Sequence, residues 1–256
     1  MTSQKIGGIH VSRVWLGWAV CGIALVGSAT VAAAHGGKDT GTSYYIEPSQ
    51  VALDHLLAPP PALGSAQETA DLAAVVRAEM DRTAKDAVDA EADHKRSVFR
   101  FADVLGPQFT PKNLPFATAF FNRVYRDEER IVTITKAHFA RLRPFMVDAN
   151  LSPMVEPRHT PSYPSGHTTF AYVMAIILAN MVPEKATPIF NRAAEYGYNR
   201  VVAGAHFPTD IEAGRISGTV IDSVFFHNQK FLADFYRARA EVRQALGLPN
   251  MGDMDR

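Results

Sequence analysis

The chain has 256 residues, 47% of them hydrophobic and 20% charged, with 26 basic residues balanced by 26 acidic ones. That length suits one domain with at most a small appendage, and it can bury most of its apolar surface without disulfide staples. The balanced charge excludes the basic field of a nucleic-acid binder and the acidic excess of a disordered chain.

In chain order, Lys5 and Arg13 precede a run from Val14 to Ala34 without a charged residue, ending Val31-Ala32-Ala33-Ala34. A basic start, an apolar middle and small residues at the exit predict a secretory signal over residues 1–34, cleaved after Ala34. A retained anchor is the competing reading, since about 20 apolar residues can span a bilayer. Cleavage removes two basic residues and no acids, leaving 24 against 26, a net charge of −2, and it removes Cys21, the one cysteine. The residues before Cys21, Trp18-Ala19-Val20, lack the small residue expected ahead of a lipidated cysteine. The expected mature protein is exported, periplasmic or secreted, and free of the membrane.

Residues 35–64 are rich in Gly, Pro and Ser and predict an irregular arm laid over the domain, which spans residues 65–250 before a frayed tail at 251–256. Ser65 followed by Glu68 signals a helix start, with Ala70, Leu72, Ala73, Val76 and Met80 as its apolar face. A second helix is expected over Lys85–Leu105, a third over Asn113–Tyr125 with Pro115 in its first turn, and an amphipathic segment over Glu128–Arg143 ended by Pro144. Thr168–Val182 is apolar all round and predicts the central buried helix. Pro188–Val202, Thr209–Phe226 and Gln229–Leu246 complete the set. Strand-like alternation is scarce, so the expected class is all-α: a single-domain bundle of about seven or eight helices with its site at helix ends.

Three stretches bring chemistry together: KAHFARLRP from Lys136, YPSGHT from Tyr163, and NRVVAGAHFPTD from Asn199. Lys136 and Arg143 are seven apart and, on a continuous helix, share a face; alone, two such cations are ordinarily solvated surface. Ser165 is a natural N-cap and Gly166 lets a backbone approach an anion, so the start of the buried helix suits phosphate, with His167 available as a proton donor. The bland alternative is a capped helix with a structural histidine. His206 and Asp210 are one helical turn apart if helical, a spacing that lets a carboxylate hold one imidazole nitrogen and leave the other as a nucleophile. Arg200 adds a third cation. A His–Asp pair also occurs in metal sites, but no further ligand stands at metal spacing.

The ordered set K-x6-R-P, P-S-G-H and R-x5-H-x3-D resembles the type 2 phosphatidic acid phosphatase superfamily. It is most similar to the bacterial class A nonspecific acid phosphatases, which Leu56–Pro61 and Gly197–Val202 also resemble. The resemblance runs over residues 44–221 and implies a secreted, all-α, metal-independent phosphatase. By it, Lys136, Arg143 and Arg200 grip the phosphate oxygens together with Ser165 and the Gly166 N–H. His206 is the nucleophile that becomes phosphohistidine, Asp210 orients it, and His167 protonates the leaving oxygen and then activates water. Two positions depart from the pattern: Asn199 where Ser is usual, and Pro161 where Gly is usual.

That scheme requires His167 protonated and His206 neutral in a mildly acidic window, hence an acid optimum. It needs no cofactor, and its partners are small phosphomonoesters rather than nucleic acid polymers, with related enzymes often forming homo-oligomers. A vanadate-dependent haloperoxidase uses nearly the same constellation, with vanadate held by His206, but in generally longer chains. An integral lipid phosphatase needs several membrane spans. A non-catalytic phosphate binder has no use for both His167 and the His206–Asp210 pair.

Overall fold

A computed structural model describes residues 42–154 and 159–251, which belong to one compact unit. The signal over residues 1–34, the first residues of the arm and all but Met251 of the tail lie outside the described residues. Three single-turn helices, α1 (Leu53–Leu56), α4 (Ala102–Leu105) and α6 (Pro144–Val147), are interleaved with seven longer ones. These are α2 (Ala66–Met80), α3 (Ala84–Ala92), α5 (Pro115–Phe139), α7 (Gly166–Met181), α8 (Ala186–Val202), α9 (Pro208–Phe225) and α10 (Gln229–Ala245). No strand occurs among the described residues.

α7 is the axis. Its sequence, GHTTFAYVMAIILANM, offers no polar face, and it is buried along its length against α8 and α9, with α5 and α10 also packed on it. Glycines set how closely α9 approaches. A Cβ on Gly214 would stand 2.7 Å from the Ser165 carbonyl oxygen, and one on Gly218 would stand 2.8 Å from Tyr172 Cβ, so only a bare backbone fits there. This approach brings the first turn of α9 to the first turn of α7, where the Ser165 N–H donates to the Asp210 carbonyl at 2.9 Å.

Buried acids account for three places where the helices depart from the sequence expectation. Ser65 caps α2 as expected, accepting from the Glu68 N–H at 3.2 Å. The inward face, however, is Glu68, Asp71, Val75 and Ala78, and Met80 is exposed. Of the expected apolar face only Leu72 and Val76 pack on the core, because the helix is turned to bring Asp71 inward to Arg141 at 2.9 Å. The helix expected over Lys85–Leu105 is broken after α3: Asp93 turns into the interior and accepts from Arg192 (2.6 Å), Arg100 (2.8 Å) and Asn199 (2.8 Å). Conversely, the two segments expected before and after Tyr125 are one helix, α5. The polar run between them is not a break, since Asp127 and Glu128 face inward.

The arm reaches the core rather than only lying over it. Asp127 accepts from the backbone N–H groups of Tyr44 (2.8 Å), Tyr45 (2.6 Å) and Ile46 (3.2 Å), and Tyr45, Ile46 and Leu53 are buried. Tyr45 packs edge-on against Phe225 and Phe231.

Candidate active site

α5 ends at Phe139 because Ala140 adopts the left-handed conformation (φ 49°), and its N–H closes on the Lys136 carbonyl at 3.0 Å. Arg143 is therefore not on the helix that carries Lys136. It is the extended residue before α6, with Pro144 as the first residue of that turn rather than a helix stop. The shared helix face expected for Lys136 and Arg143 is thus corrected. The two cations converge because the chain reverses at Ala140, not because they are two turns apart.

Lys136 Nζ donates to the Pro161 carbonyl at 2.8 Å and the Ser162 carbonyl at 2.9 Å, so it holds the loop leading into α7. Arg143 donates to Thr160 O (2.8 Å), Thr160 Oγ1 (3.1 Å) and Ala205 O (2.8 Å), and its Nη1 lies 3.2 Å from His206 Nε2. Arg200 is buried at the end of α8, and its carbonyl accepts the His206 N–H at 3.2 Å. Ser165 caps α7, its Oγ accepting from the Thr168 N–H (3.3 Å) and Thr168 Oγ1 (2.9 Å), which leaves its own proton to donate. The first N–H groups of α7, starting at Gly166, have no partner within the helix and aim a partial positive charge outward.

His206 and Asp210 meet by capping rather than by helical spacing. α9 begins at Pro208, so His206 lies before it, and Asp210 folds back to accept the Phe207 N–H (3.0 Å) and His206 Nδ1 (3.1 Å). With Nδ1–H held by the carboxylate, the Nε2 lone pair faces Arg143. Burial, then Arg143 and Lys136, hold His206 well below the ordinary imidazole value, so its contact with Asp210 is a hydrogen bond of a neutral ring. His167 donates through Nε2 to the His94 carbonyl at 2.9 Å, leaving Nδ1 to exchange a proton. Burial, then Arg200 and Arg96, push His167 well down too, so it is not the protonated member of a split pair in the protein by itself. Lys136 is likewise pushed well down by burial and by Arg143. A dianion entering among these groups opposes the part of each shift that comes from the neighbouring cations.

All eight residues expected at the site are brought to it: Lys136, Arg143, Ser165, Gly166, His167, Arg200, His206 and Asp210. Sequence reasoning missed the groups behind them. Arg141 is buried, donates to Asp210 (2.6 Å), Asp71 (2.9 Å) and Thr209 (2.7 Å), and stacks over the Phe207 ring at 4.0 Å. Ser162 Oγ also donates to Asp210. The R-L-R-P spelling around Arg143 was the one available signal for Arg141. Asn199, the departure from Ser, donates to buried Asp93 at 2.8 Å, as a polar replacement should. Among the described residues no group of three His, Cys, Asp or Glu side chains could hold a metal ion, and no helix is long and apolar enough to cross a membrane.

Residues 116–233, which contain every one of these eight, match the family model of the PAP2 superfamily. A curated acid phosphatase of Zymomonas mobilis is 31% identical over 233 residues, covering 88% of this chain and 87% of that protein. The chain belongs to the PAP2 superfamily. A non-specific acid phosphatase of Providencia stuartii is 28% identical, covering 86% of this chain and 94% of that protein. The crystal structure of a bacterial vanadium-dependent iodoperoxidase shares the fold, with a TM-score of 0.50 at 17% identity over 65% of this chain and 51% of that one.

Proposed function

We propose that the chain is an exported, metal-independent acid phosphatase that hydrolyses phosphate monoesters through phosphohistidine on His206. Phosphomonoester hydrolysis is the activity of the named relatives, and the buried constellation around His206 supplies what it requires. The observation that carries the mechanism is the pair of contacts on one ring: Nδ1 on Asp210 and Nε2 against Arg143.

Substrate enters with its three non-bridging oxygens toward Lys136, Arg143, Arg200 and the start of α7. It takes Arg143 Nη1 from Nε2 and frees that lone pair. Nε2 attacks phosphorus, the ester P–O bond breaks, and the leaving oxygen takes a proton from His167 Nδ1. His167 then accepts a proton from water, whose oxygen attacks phosphorus. The P–N bond breaks, its electron pair returns to Nε2, and inorganic phosphate departs. Three fixed cations and a helix start stabilise the charge spread over the equatorial oxygens, the work a metal would otherwise do. The substrate dianion raises His167, which lets it hold the proton it must give up. Export rests on the signal read in residues 1–34.

Turnover of p-nitrophenyl phosphate in excess EDTA tests the reading. Wild type should keep full activity, and His206→Ala should lose at least about 10³-fold in kcat, as loss of an attacking group does. Inactivation by EDTA, or halide-dependent peroxidation after vanadate loading without phosphatase turnover, would overturn it.

A further inference from the structure

The chain between α3 and the 3-10 turn at Val98–Phe101 carries His94, Lys95 and Arg96 in a row. It is fixed beside His167. The His94 carbonyl accepts from His167 Nε2, the two imidazoles lie within 20° of parallel with centroids 6.2 Å apart, and the Tyr196 hydroxyl donates to the Lys95 carbonyl at 3.2 Å. Lys95 is exposed.

Arg96 is anchored on two sides. Its Nη2 bonds to Glu129, and its guanidinium lies 4.6 Å from the centroid of the Tyr125 ring. Nη1 points to the start of α7, 3.6 Å from where a Cβ on Gly166 would stand, and no described residue accepts a hydrogen bond from it. The side chain keeps 13% of its surface exposed, so an incoming molecule can reach it. Arg96 weighs on His167 and Lys136, whereas the cations that weigh most on His206 are Arg143, Lys136, Arg200 and Arg141. It belongs to the side of the site where the leaving oxygen sits, not the side of attack.

We propose that Arg96 is a specificity-determining residue that binds a second anionic group on the leaving-group half of the substrate, so that the enzyme prefers phosphomonoesters whose alcohol or phenol carries a carboxylate or a further phosphate. The proposal rests on the reading of His167 as the acid for the leaving oxygen. A guanidinium presents donors in a fixed fork that matches a carboxylate or phosphate. Here the fork is held in place before substrate arrives, so little ordering is lost on binding. Lys95, exposed next to it in the chain, adds charge of the same sign.

The test compares kcat/KM for 4-carboxyphenyl phosphate with that for phenyl phosphate, taking the ratio so that differences in intrinsic reactivity cancel between variants. Arg96→Gln should lower the ratio on the order of tenfold, the worth of one charge-assisted hydrogen bond, and Arg96→Lys, which keeps the charge but loses the fork, should fall between Arg96→Gln and wild type. An equal fall on both substrates would place Arg96 on the reacting phosphoryl group, and no change would leave it only a partner of Glu129. Either result overturns the proposal. Glu129→Gln carries the test should Arg96→Gln fail to fold: releasing the guanidinium from its carboxylate should raise the ratio, and an unchanged or lower ratio overturns the proposal. Wild type that hydrolyses neither ester sinks the phosphatase reading itself. Wild type that hydrolyses both, with variants of unaltered ratio, sinks only this inference.

Discussion

Asp210 accepts four hydrogen bonds, from the Phe207 N–H, His206 Nδ1, Ser162 Oγ and Arg141 Nη1, and is fully buried. One carboxylate therefore fixes the tautomer of His206, closes the first turn of α9 and ties down the loop into α7. Arg141 balances its charge and is itself held by Asp71, so a residue far away in sequence helps fix the position of the group behind the nucleophile. Arg141 is also one of the cations that keep His206 low. Removing it must let His206 take up a proton more readily. Arg141→Gln is expected to move the acidic limb of the kcat/KM profile to higher pH and to lower kcat by less than the ~10²–10⁴-fold that a general acid or base itself contributes. A pH profile that superimposes on wild type would show that Arg141 is only structural.

At the scale of elements, the site is the meeting of three chain reversals: Ala140 after α5, the turn before α7, and Ala203–Phe207 before α9. Helix α7 was legible in the sequence because it is apolar on every side, and its cap because Ser165 and Gly166 stand at its start. The extent of α5 and the break after α3 were not legible. Asp127, Glu128 and Asp93 look like surface acids in the sequence, yet each is buried, and Asp127 and Asp93 hold distant segments of the chain. The three motifs could be read as one site, but how they converge could not, because Lys136 and Arg143 are joined by a left-handed residue that is not glycine. Close approach of α9 to α7 is the contact that holds the motifs together. Gly214→Ala places a methyl against the Ser165 carbonyl and Thr168 Cβ, neither of which can yield without moving the start of α7. It should cost about 1–3 kcal/mol, read as a fall of several degrees in Tm, together with a marked loss of kcat. A variant with wild-type Tm and kcat would show that the helices have slack there.

Over the whole molecule, buried acids also set how stability follows pH. Glu128 on α5 and Asp222 on α9 lie in the interior with no hydrogen-bond partner among the described residues. Burial pushes Glu128 up to about 8, and it pushes Asp222 well above the usual carboxylate range, with Glu128 adding repulsion. A carboxyl raised in the folded state keeps its proton where the unfolded chain has lost it. Its contribution is therefore fully present below the unfolded value near ~4.5 and is lost as pH rises toward about 8. His206, His167 and Lys136, held well below their ordinary values, act in the opposite sense, so the contribution of Glu128 is read as a difference between wild type and variant. Glu128→Gln should melt about 3 °C or more above wild type at pH 8 while matching it at pH 5. Parallel curves for the two proteins would mean that Glu128 does not carry this dependence.

The central claim is that His206 Nε2 attacks phosphorus. The most direct measurement is a rapid quench of the wild-type enzyme turning over a 32P-labelled monoester, with His206→Ala in parallel. Label that survives base, is released by acid, maps to His206 and is absent from the variant is the predicted result. Turnover by wild type without any such label, or the same label on the variant, would contradict it.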